Sequence, residues 1–355
     1  MTKLAVLIGF MDSVMSGPVA TLVIKPATKG TVLMAISPDC TVSLSAPTLI
    51  FENLTEAIAV DAKTLVGSCK NREVTLAVTS TEIIVKSGKS YSANVACSSD
   101  IPQIEDIVTK LPEATTQVEL SAENMQLLRE CINRVKIEKT FTGIVDTLLS
   151  VKANTKTITV MNYEPAQVAS TTIKNDGNFP ECFFVLPSSV LSRALNILGN
   201  IKVVVNETSA VFKGKNSAIR VNLPIDTINA INKDDVHNLV NSVKDDKATK
   251  PGMTTTKAAL SGFLSNAESL INVGGDVAIS PLNSSAITAS VTTTKGTIKE
   301  KFSGNAPKGF TLGFTFMRAI VAHSKNEDIE IRATDAFAVV KSGSSTYIAA
   351  LSAEA

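Results

Sequence analysis

The stretch EDIEIRATDAFAVVKSGSSTYIAAL, residues 327–351, alternates apolar and polar residues on both sides of a glycine turn, and this alternation predicts a β-hairpin. Two further stretches follow the same plan: REVTLAVTSTEIIVKSGKSYSANVAC at 72–97 and IKVVVNETSAVFKGKNSAIRVNLP at 201–224. Each hairpin carries a lysine before its glycine turn, at Lys86, Lys213 and Lys341, so the copies lie 127 and 128 residues apart. This regular spacing indicates an internal repeat.

The segments around the hairpins extend the repeat. An amphipathic helix precedes each hairpin, within 57–71, 182–200 and 310–326, and a second kind of unit begins with a helix and continues into strands. The helices of this second unit are predicted at 4–15, 124–135 and 257–268. The expected fold class is therefore α+β, with three similar domains that each contain two helix-plus-antiparallel-strand halves. The predicted boundaries are 1–114, 115–231 and 253–355, with a polar linker at 232–252.

The composition of the 355 residues is that of a globular protein. The chain is 44% apolar, 19% charged and 5% aromatic, which excludes disordered, fibrous and disulfide-scaffold classes. Its five cysteines form no CxxC pair, which favours reduced thiols and a cytoplasmic location. No apolar run approaches the roughly 20 residues of a membrane-spanning helix, so no membrane partner is expected.

Charge is distributed unevenly along this nearly neutral chain. If the six repeat helices span 2–15, 62–72, 121–136, 188–198, 254–271 and 314–325, they hold eleven basic and four acidic residues, a charge of +7 against −6 elsewhere. The basic residues are Lys3, Lys63, Lys70, Arg72, Arg129, Arg134, Lys136, Arg193, Lys257, Arg318 and Lys325. Such segregation is typical of sequence-independent contact with a phosphate backbone. The alternative is that lysine and arginine simply occupy exposed helix faces.

Several short segments give the sixfold plan a family resemblance. The hairpin EIIVKSGKSYSANV (82–95) followed by DIP (100–102), FLSNAE (263–268) and YIAAL (347–351) are similar to segments of the bacterial-type DNA polymerase sliding clamp, the ring-shaped processivity factor. The resemblance implies a head-to-tail homodimer in which twelve helices surround double-stranded DNA, with the eleven basic residues facing it. It also implies partner peptides from a DNA polymerase and a clamp loader, and neither enzymatic activity nor a cofactor.

The resemblance also places two contact regions. Phe263 and Leu264 would lie in the dimer interface, against the helix and strand around 69–94, although both residues could equally be ordinary core residues. The partner-peptide groove would lie between the second and third domains. Its residues would be Asn162, Tyr163, Pro165, Gln167, Val168, Pro224, Ile225, Tyr347, Ile348, Ala349 and Leu351.

The groove segments also depart from the family pattern. The family's Gly-His-Arg type segment is replaced by Tyr163, Glu164, Pro165 and Ala166, and the usual Met-Pro-Met-like tail by Ala349, Ala350 and Leu351. These differences are typical of a divergent clamp, such as one encoded by a bacteriophage and acting in the host cytoplasm with its own polymerase. The alternative is a structural or interaction protein, such as a viral assembly component, that does not encircle DNA.

The remaining motifs give little support to catalysis or metal binding. Gly88, Lys89 and Ser90 match the end of a phosphate-binding loop, but Ile83 stands where that motif needs glycine, so a hairpin turn is expected. His237 and His323 have no cysteine or carboxylate at metal-ligand spacing, and the dispersed cysteines are expected to be small core residues. We therefore predict no catalytic site and no metal site.

Overall fold

The computed structural model describes residues 3–351, apart from 16–17, 38–39, 71, 102–112, 115, 138–145, 196–198, 224–227, 229–232, 244–249, 272–274 and 335. The chain divides into two compact units. Unit 1 comprises 1–125 and 190–223, and unit 2 comprises 126–189 and 224–355. The middle predicted domain is thus shared between the two units.

Seven helices lie in the described parts of the chain. They are α1 (Lys3–Val14), α2 (Ala62–Cys69), α3 (Ala122–Arg134), α4 (Ser188–Ala194), α5 (Lys233–Ser242), α6 (Lys257–Glu268) and α7 (Phe314–His323). Side-chain caps define two of the starts: Asp61 Oδ1 accepts from the Thr64 N–H at 2.7 Å before α2, and Thr256 Oγ1 accepts from the Ala259 N–H at 3.2 Å before α6. All helices predicted from the repeat are present, and α5 is additional.

The strands alternate with these helices as the repeat predicts. In unit 1 they are β1 (Thr21–Pro26), β2 (Thr31–Ile36), β3 (Cys40–Ala46), β4 (Phe51–Glu52), β5 (Ile58–Asp61), β6 (Thr75–Val78), β7 (Glu82–Ser87), β8 (Tyr91–Ser98), β9 (Thr116–Leu120), β14 (Ile201–Val205), β15 (Ser209–Lys213) and β16 (Ser217–Asn222). In unit 2 they are β10 (Leu148–Ala153), β11 (Thr157–Glu164), β12 (Gln167–Lys174), β13 (Cys182–Pro187), β17 (Lys250–Thr256), β18 (Asp276–Asn283), β19 (Ala286–Thr293), β20 (Gly296–Asn305), β21 (Phe310–Gly313), β22 (Asp328–Ala333), β23 (Phe337–Ser342) and β24 (Ser345–Ala350).

Each unit is built on one twelve-stranded sheet. The order in unit 1 is β4-β6-β7-β8-β5-β1-β2-β3-β16-β15-β14-β9. The order in unit 2 is β13-β10-β11-β12-β24-β23-β22-β17-β20-β19-β18-β21. All described pairings are antiparallel except the short one between β4 and β6. The predicted α+β class is confirmed.

The three quoted hairpins are β7–β8, β15–β16 and β23–β24. Gly88 and Gly343 both have φ of +58° at the turns, a conformation that glycine adopts without the steric cost of a Cβ. The Gly88-Lys89-Ser90 sequence is therefore a hairpin turn, as predicted.

Buried aliphatic side chains hold helices against each sheet. Leu22, Leu33 and Leu65 are fully buried in unit 1, where α1 packs beside α2. In unit 2, α6 packs beside α7, and Leu260 and Ile320 are fully buried in their cores. Alternation along the strands thus buries one set of residues under helices, as the repeat pattern indicated.

The predicted polar linker at 232–252 is not a simple connector. Residues 233–242 form α5, and β17 begins at Lys250 and pairs with β22. Pro251 and Gly252, which suggested a turn, lie at a bulge in β17, where a Cβ on Gly252 would lie 3.0 Å from the Ile331 carbonyl oxygen. The linker interpretation was wrong because backbone pairing and apolar packing outweigh the polar composition.

Candidate functional site

Six of the eleven basic residues predicted on the repeat helices lie in the last turn of a helix or just beyond it: Lys70, Arg72, Arg134, Lys136, Arg193 and Lys325. Within the observed helix bounds there are seven basic and four acidic residues, so the surplus is +3 and not the +7 predicted. The remaining four, Lys70, Arg72, Lys136 and Lys325, lie one to three residues beyond α2, α3 and α7. Cations at these positions also stabilise the negative end of the helix dipole. The predicted basic layer thus lies only partly on the helices, and four of its members follow helix C-termini.

These side chains differ in their availability to a ligand. Lys63, Lys70, Arg72, Lys136 and Lys325 are exposed. The partly buried ones are Arg129, Arg134, Arg193, Lys257 and Arg318, and the side chain of Lys3 lies outside the described set.

Two of the partly buried cations are engaged inside unit 2. Lys257 Nζ donates to the Ser324 carbonyl oxygen at 2.8 Å, and Arg318 Nη1 lies 2.8 Å from Glu268 Oε1. The Glu268 carboxylate offsets the charge of Arg318 locally. The exposed helix-end residues are therefore the stronger candidates for phosphate contact.

Arg72 is positioned by Tyr91 in unit 1. Its guanidinium carbon lies 3.7 Å from the centre of the Tyr91 ring, a cation–π geometry. The Tyr91 hydroxyl donates to the Ser68 carbonyl oxygen at 3.0 Å, near the end of α2. The first residue of β8 thus fixes a basic side chain beside the helix terminus.

Phe263 and Leu264 are core residues of unit 2. Their exposed fractions are 0% and 4%, and the Phe263 ring lies 6.2 Å from that of Phe302. Their apolar surface is covered within the chain, and their place in a dimer interface stays a prediction.

Three of the predicted groove residues belong to one apolar surface in unit 2, which we call the α5-covered surface. It comprises the buried residues Leu148, Met161, Tyr163, Val168, Val339 and Ile348. Val240 of α5 and Val243, just after it, belong to the same buried cluster. Val236 and Leu239 of α5 are partly buried and pack against it. A helix of the same chain therefore covers the position predicted for a partner groove.

Other groove residues alternate onto the opposite face of the sheet. The Tyr347 hydroxyl donates to the Arg134 carbonyl oxygen at 2.7 Å, and its ring stacks on His323 with centres 6.2 Å apart. Burial raises the pKa of Tyr347 to about 12, and burial lowers the pKa of His323. Asn162 and Ala349 lie on the same face of the sheet as Tyr347, because side chains alternate between the two faces along a strand. The predicted groove residues are therefore divided between the two faces and do not form a single surface.

The remaining predicted groove residues lie at strand ends or outside the described residues. Glu164 and Gln167 are buried at the β11–β12 turn, where Gln167 Nε2 donates to Glu164 Oε1 at 2.7 Å, and Pro165 is exposed. Leu351 is partly buried, and its N–H donates to the Ala336 carbonyl oxygen at 2.9 Å. Pro224 and Ile225 lie outside the described residues.

The sequence contained a signal for α5 that composition obscured. Val236, Leu239, Val240 and Val243 occur at i, i+3, i+4 and i+7, which is the spacing of one helix face. His237 on the same helix lies with its ring centre 6.0 Å from that of Phe183 and its Nε2 3.4 Å from Ser150 Oγ. The charged residues on both sides of this pattern led to the linker interpretation.

Besides the end strands of the two sheets, one interior strand in each unit leaves most of one edge unpaired in the described structure. β8 pairs with β7 along its length, but β5 reaches only Cys97 and Ser98 on its other side. β20 pairs with β19, and β17 reaches only Gly304 and Asn305. No other described strand pairs with the rest of either edge.

Two equivalent strand pairs are already closed inside the units. Within unit 1, β3 pairs with β16, with Val42 opposite Ile219. Within unit 2, β12 pairs with β24, with Val168 opposite Ile348. In the repeat, β20 corresponds to β3 and β12, while β8 corresponds to β16 and β24. β8 and β20 therefore correspond to the partners of a third pair of this kind, and they do not pair with each other within the chain.

The side chains that could carry other chemistry are mostly buried. Burial raises the pKa of the Cys69 and Cys182 thiols to about 11, so both are protonated at neutral pH. In the described part of the chain, no three His, Cys, Asp or Glu side chains gather in a metal-binding group. None of the described helices is both long and apolar enough to cross a bilayer.

Comparison with solved structures identifies the fold. The chain matches the DNA polymerase III β chain from Streptococcus pneumoniae with a TM-score of 0.72 and 13% identity over 99% of this chain and 98% of that one. It matches the β subunit from Thermotoga maritima at 0.69 and 12%, with the same coverage. It matches the Helicobacter pylori β clamp bound to a DNA ligase peptide at 0.68 and 11%, again over 99% and 98%. The chain therefore has the sliding-clamp fold.

Comparisons of the amino-acid sequence alone give no match. No protein-family model matches the chain, and no curated protein sequence matches it.

Proposed function

We propose that this chain is a DNA sliding clamp, a non-enzymatic protein that encircles duplex DNA as a head-to-tail homodimer and tethers a DNA polymerase. The observation that carries the proposal is the unmatched third strand pair. A chain with two closed junctions and two complementary open edges, in this fold, is suited to assembly with a copy of itself.

Ring closure would join β8 of one copy to β20 of the other. β8 has the sequence YSANVACS, without a charged residue, and such an open edge favours pairing with another strand. β20 presents the N–H groups of Lys299 and Lys301 to its open side, because the Gly304 N–H donates towards β19 and N–H directions alternate along a strand. Two such junctions would close a ring of two chains.

DNA contact would come from the exposed helix-end cations. Lys70, Arg72, Lys136 and Lys325 can contact phosphate oxygens without reading bases. Contacts of this kind are independent of sequence, so they permit sliding while the closed ring prevents dissociation.

Partner contact would involve peptides from the polymerase and from a clamp loader. The Helicobacter pylori clamp with its DNA ligase peptide supports peptide binding as a property of this fold. The replacement of the usual groove segments is consistent with a bacteriophage-encoded clamp that acts in the cytoplasm of its host with its own polymerase.

The first experiment measures assembly. Light scattering coupled to size-exclusion chromatography should give twice the chain mass of 37.4 kDa, and electron micrographs should show rings. A monomer or an open polymer would instead favour the alternative of a structural protein that does not encircle DNA.

The second experiment measures topological linkage. The protein is incubated with a linear duplex fixed to a bead at one end, and the free end is then blocked with streptavidin. A ring threaded before blocking should survive a high-salt wash and be released by restriction cleavage. Protein added after blocking provides the control, and equal retention in both cases would contradict encirclement.

A further inference from the structure

The α5-covered surface has features of a binding surface that the chain itself occupies. We propose that α5 is a displaceable cover, and that a partner segment with apolar side chains at i, i+3, i+4 and i+7 replaces it on the sheet. This inference rests on the proposed function, since it concerns how a partner gains access to the clamp.

The contacts show that α5 binds through one narrow face. Val240 and Val243 are 3% exposed and belong to the buried cluster, whereas Val236 and Leu239 are only partly buried against it. Asn238, Asn241 and Ser242 are exposed. Among the described side chains, four aliphatic ones on α5 and the residue after it pack on the sheet, and three of these are valines with little apolar area.

Tyr163 shows that the cover fits the surface imperfectly. The side chain is fully buried under α5, and its hydroxyl has no hydrogen-bond partner among the described residues. Burial also raises the pKa of Tyr163, so the phenol is neutral and keeps a donor available. A buried hydroxyl without a partner has lost its hydrogen bonds to water and gained none in the protein. A different occupant with an acceptor near this hydroxyl would restore one of these bonds.

The described hydrogen-bond contact between α5 and the sheet is long. The described contact between Ser150 Oγ and His237 Nε2 is 3.4 Å long, beyond the usual range of a protein hydrogen bond. A helix of this length is also marginal in isolation, so α5 depends on the sheet for its structure. Its advantage over an external segment is its covalent attachment, which acts as an effective concentration of about millimolar order.

The chemistry of the surface defines the competing segment. The floor is aliphatic with two aromatic contributors, Tyr163 and Phe337. A partner with leucine or an aromatic residue at the positions that valine occupies in α5 would bury more apolar area than α5 does. Such a segment would bind by the helix-in-groove mode.

The experiment uses a fluorescent synthetic peptide with the sequence of residues 232–244, NKDDVHNLVNSVK, as the probe. The full chain is compared with the variant Val240→Asp, Val243→Asp, in which α5 cannot pack on the sheet. We expect the variant to bind the peptide at least tenfold more tightly than the wild type. The matched control is Asn238→Asp, Asn241→Asp, which adds the same charge on the exposed face and should bind like the wild type.

A second variant keeps the test decisive if the double substitution unfolds unit 2. The chain has no tryptophan, so Val236→Trp places a single reporter on α5. The peptide with leucine in place of its three valines should displace α5 and shift the tryptophan emission to the red. Unchanged emission at peptide concentrations that saturate binding, or equal affinity for the double variant and wild type, would overturn the proposal.

The outcome is separable from the proposed function. If the ring is retained on blocked DNA but the peptide never displaces α5, the clamp function is supported and the proposal of a displaceable cover is rejected. If the peptide displaces α5 but the chain never forms a ring, the displaceable cover is supported and the clamp function is rejected.

Discussion

The hydroxyl of Tyr347 donates a 2.7 Å hydrogen bond to the carbonyl oxygen of Arg134, which joins strand β24 to the last residue of α3. The final carbonyl groups of a helix lack partners within the helix, so this bond satisfies one of them at a partly buried position. Tyr163, on the opposite face of the same sheet, is equally buried but has a hydroxyl without a described partner. The two tyrosines therefore form a natural matched pair.

Removal of the two hydroxyls should affect stability differently. Tyr347→Phe leaves the Arg134 carbonyl unpaired, so we expect the free energy of unfolding to fall by about 1–2 kcal/mol. Tyr163→Phe removes an unsatisfied group and should leave stability unchanged or slightly raised. Urea denaturation followed by circular dichroism measures both, and equal losses would contradict the assigned hydrogen bonding.

Charge reversal at the exposed helix ends should weaken DNA binding. In the variant with Lys70, Arg72, Lys136 and Lys325 all changed to Glu, we expect weaker association and a plot of log K against log salt that is shallower by up to about four. The measurement is fluorescence anisotropy with short duplexes over a salt series. The control reverses the exposed turn lysines Lys29, Lys156, Lys215 and Lys295, and an equal loss there would show that only net charge matters.

Proline on the open edge of β8 should prevent assembly without unfolding the hairpin. Because the Cys97 N–H donates to Thr81 towards β7, the N–H of Ser92 points to the open side. Ser92→Pro should therefore give a folded chain of 37.4 kDa by light scattering. Ala93→Pro removes an N–H that faces β7 and should lower the thermal midpoint. A Ser92→Pro protein that still has twice the chain mass would exclude β8 from the junction.

Stability should depend on pH through His323. Burial, and to a lesser extent the positive charge of Lys136, lowers the pKa of this imidazole in the folded chain below its ordinary value of about 6.5. The unfolded chain then binds more protons, so the stabilising contribution is complete above pH 6.5 and is lost as the pH falls below it. His323→Phe retains a ring beside Tyr347 and should flatten this dependence. Urea midpoints between pH 5 and 8 test it, and an unaltered slope would exclude His323 as its source.

The sequence was sufficient for the repeat and its strands because alternation and periodic lysines are local properties. The predicted helical charge is too high, because the predicted helices extend past the observed ends. Four basic residues lie in that excess: Lys70, Arg72, Lys136 and Lys325. The sequence could not decide the role of Phe263, because core and interface residues share the same apolar character until burial is known. The role of α5 required the tertiary structure, since the helix face matters only through the surface beneath it.

The division of the middle repeat between the two units has a practical consequence for work on fragments. A fragment that ends at residue 114 would lack β16 beside β3, which would expose the backbone groups of Cys40–Val42 and their neighbours to water and to other chains. Such a truncation is expected to be insoluble, even though it respects the period of the sequence. Expression of stable pieces should follow hydrogen-bonded sheets and not repeat lengths.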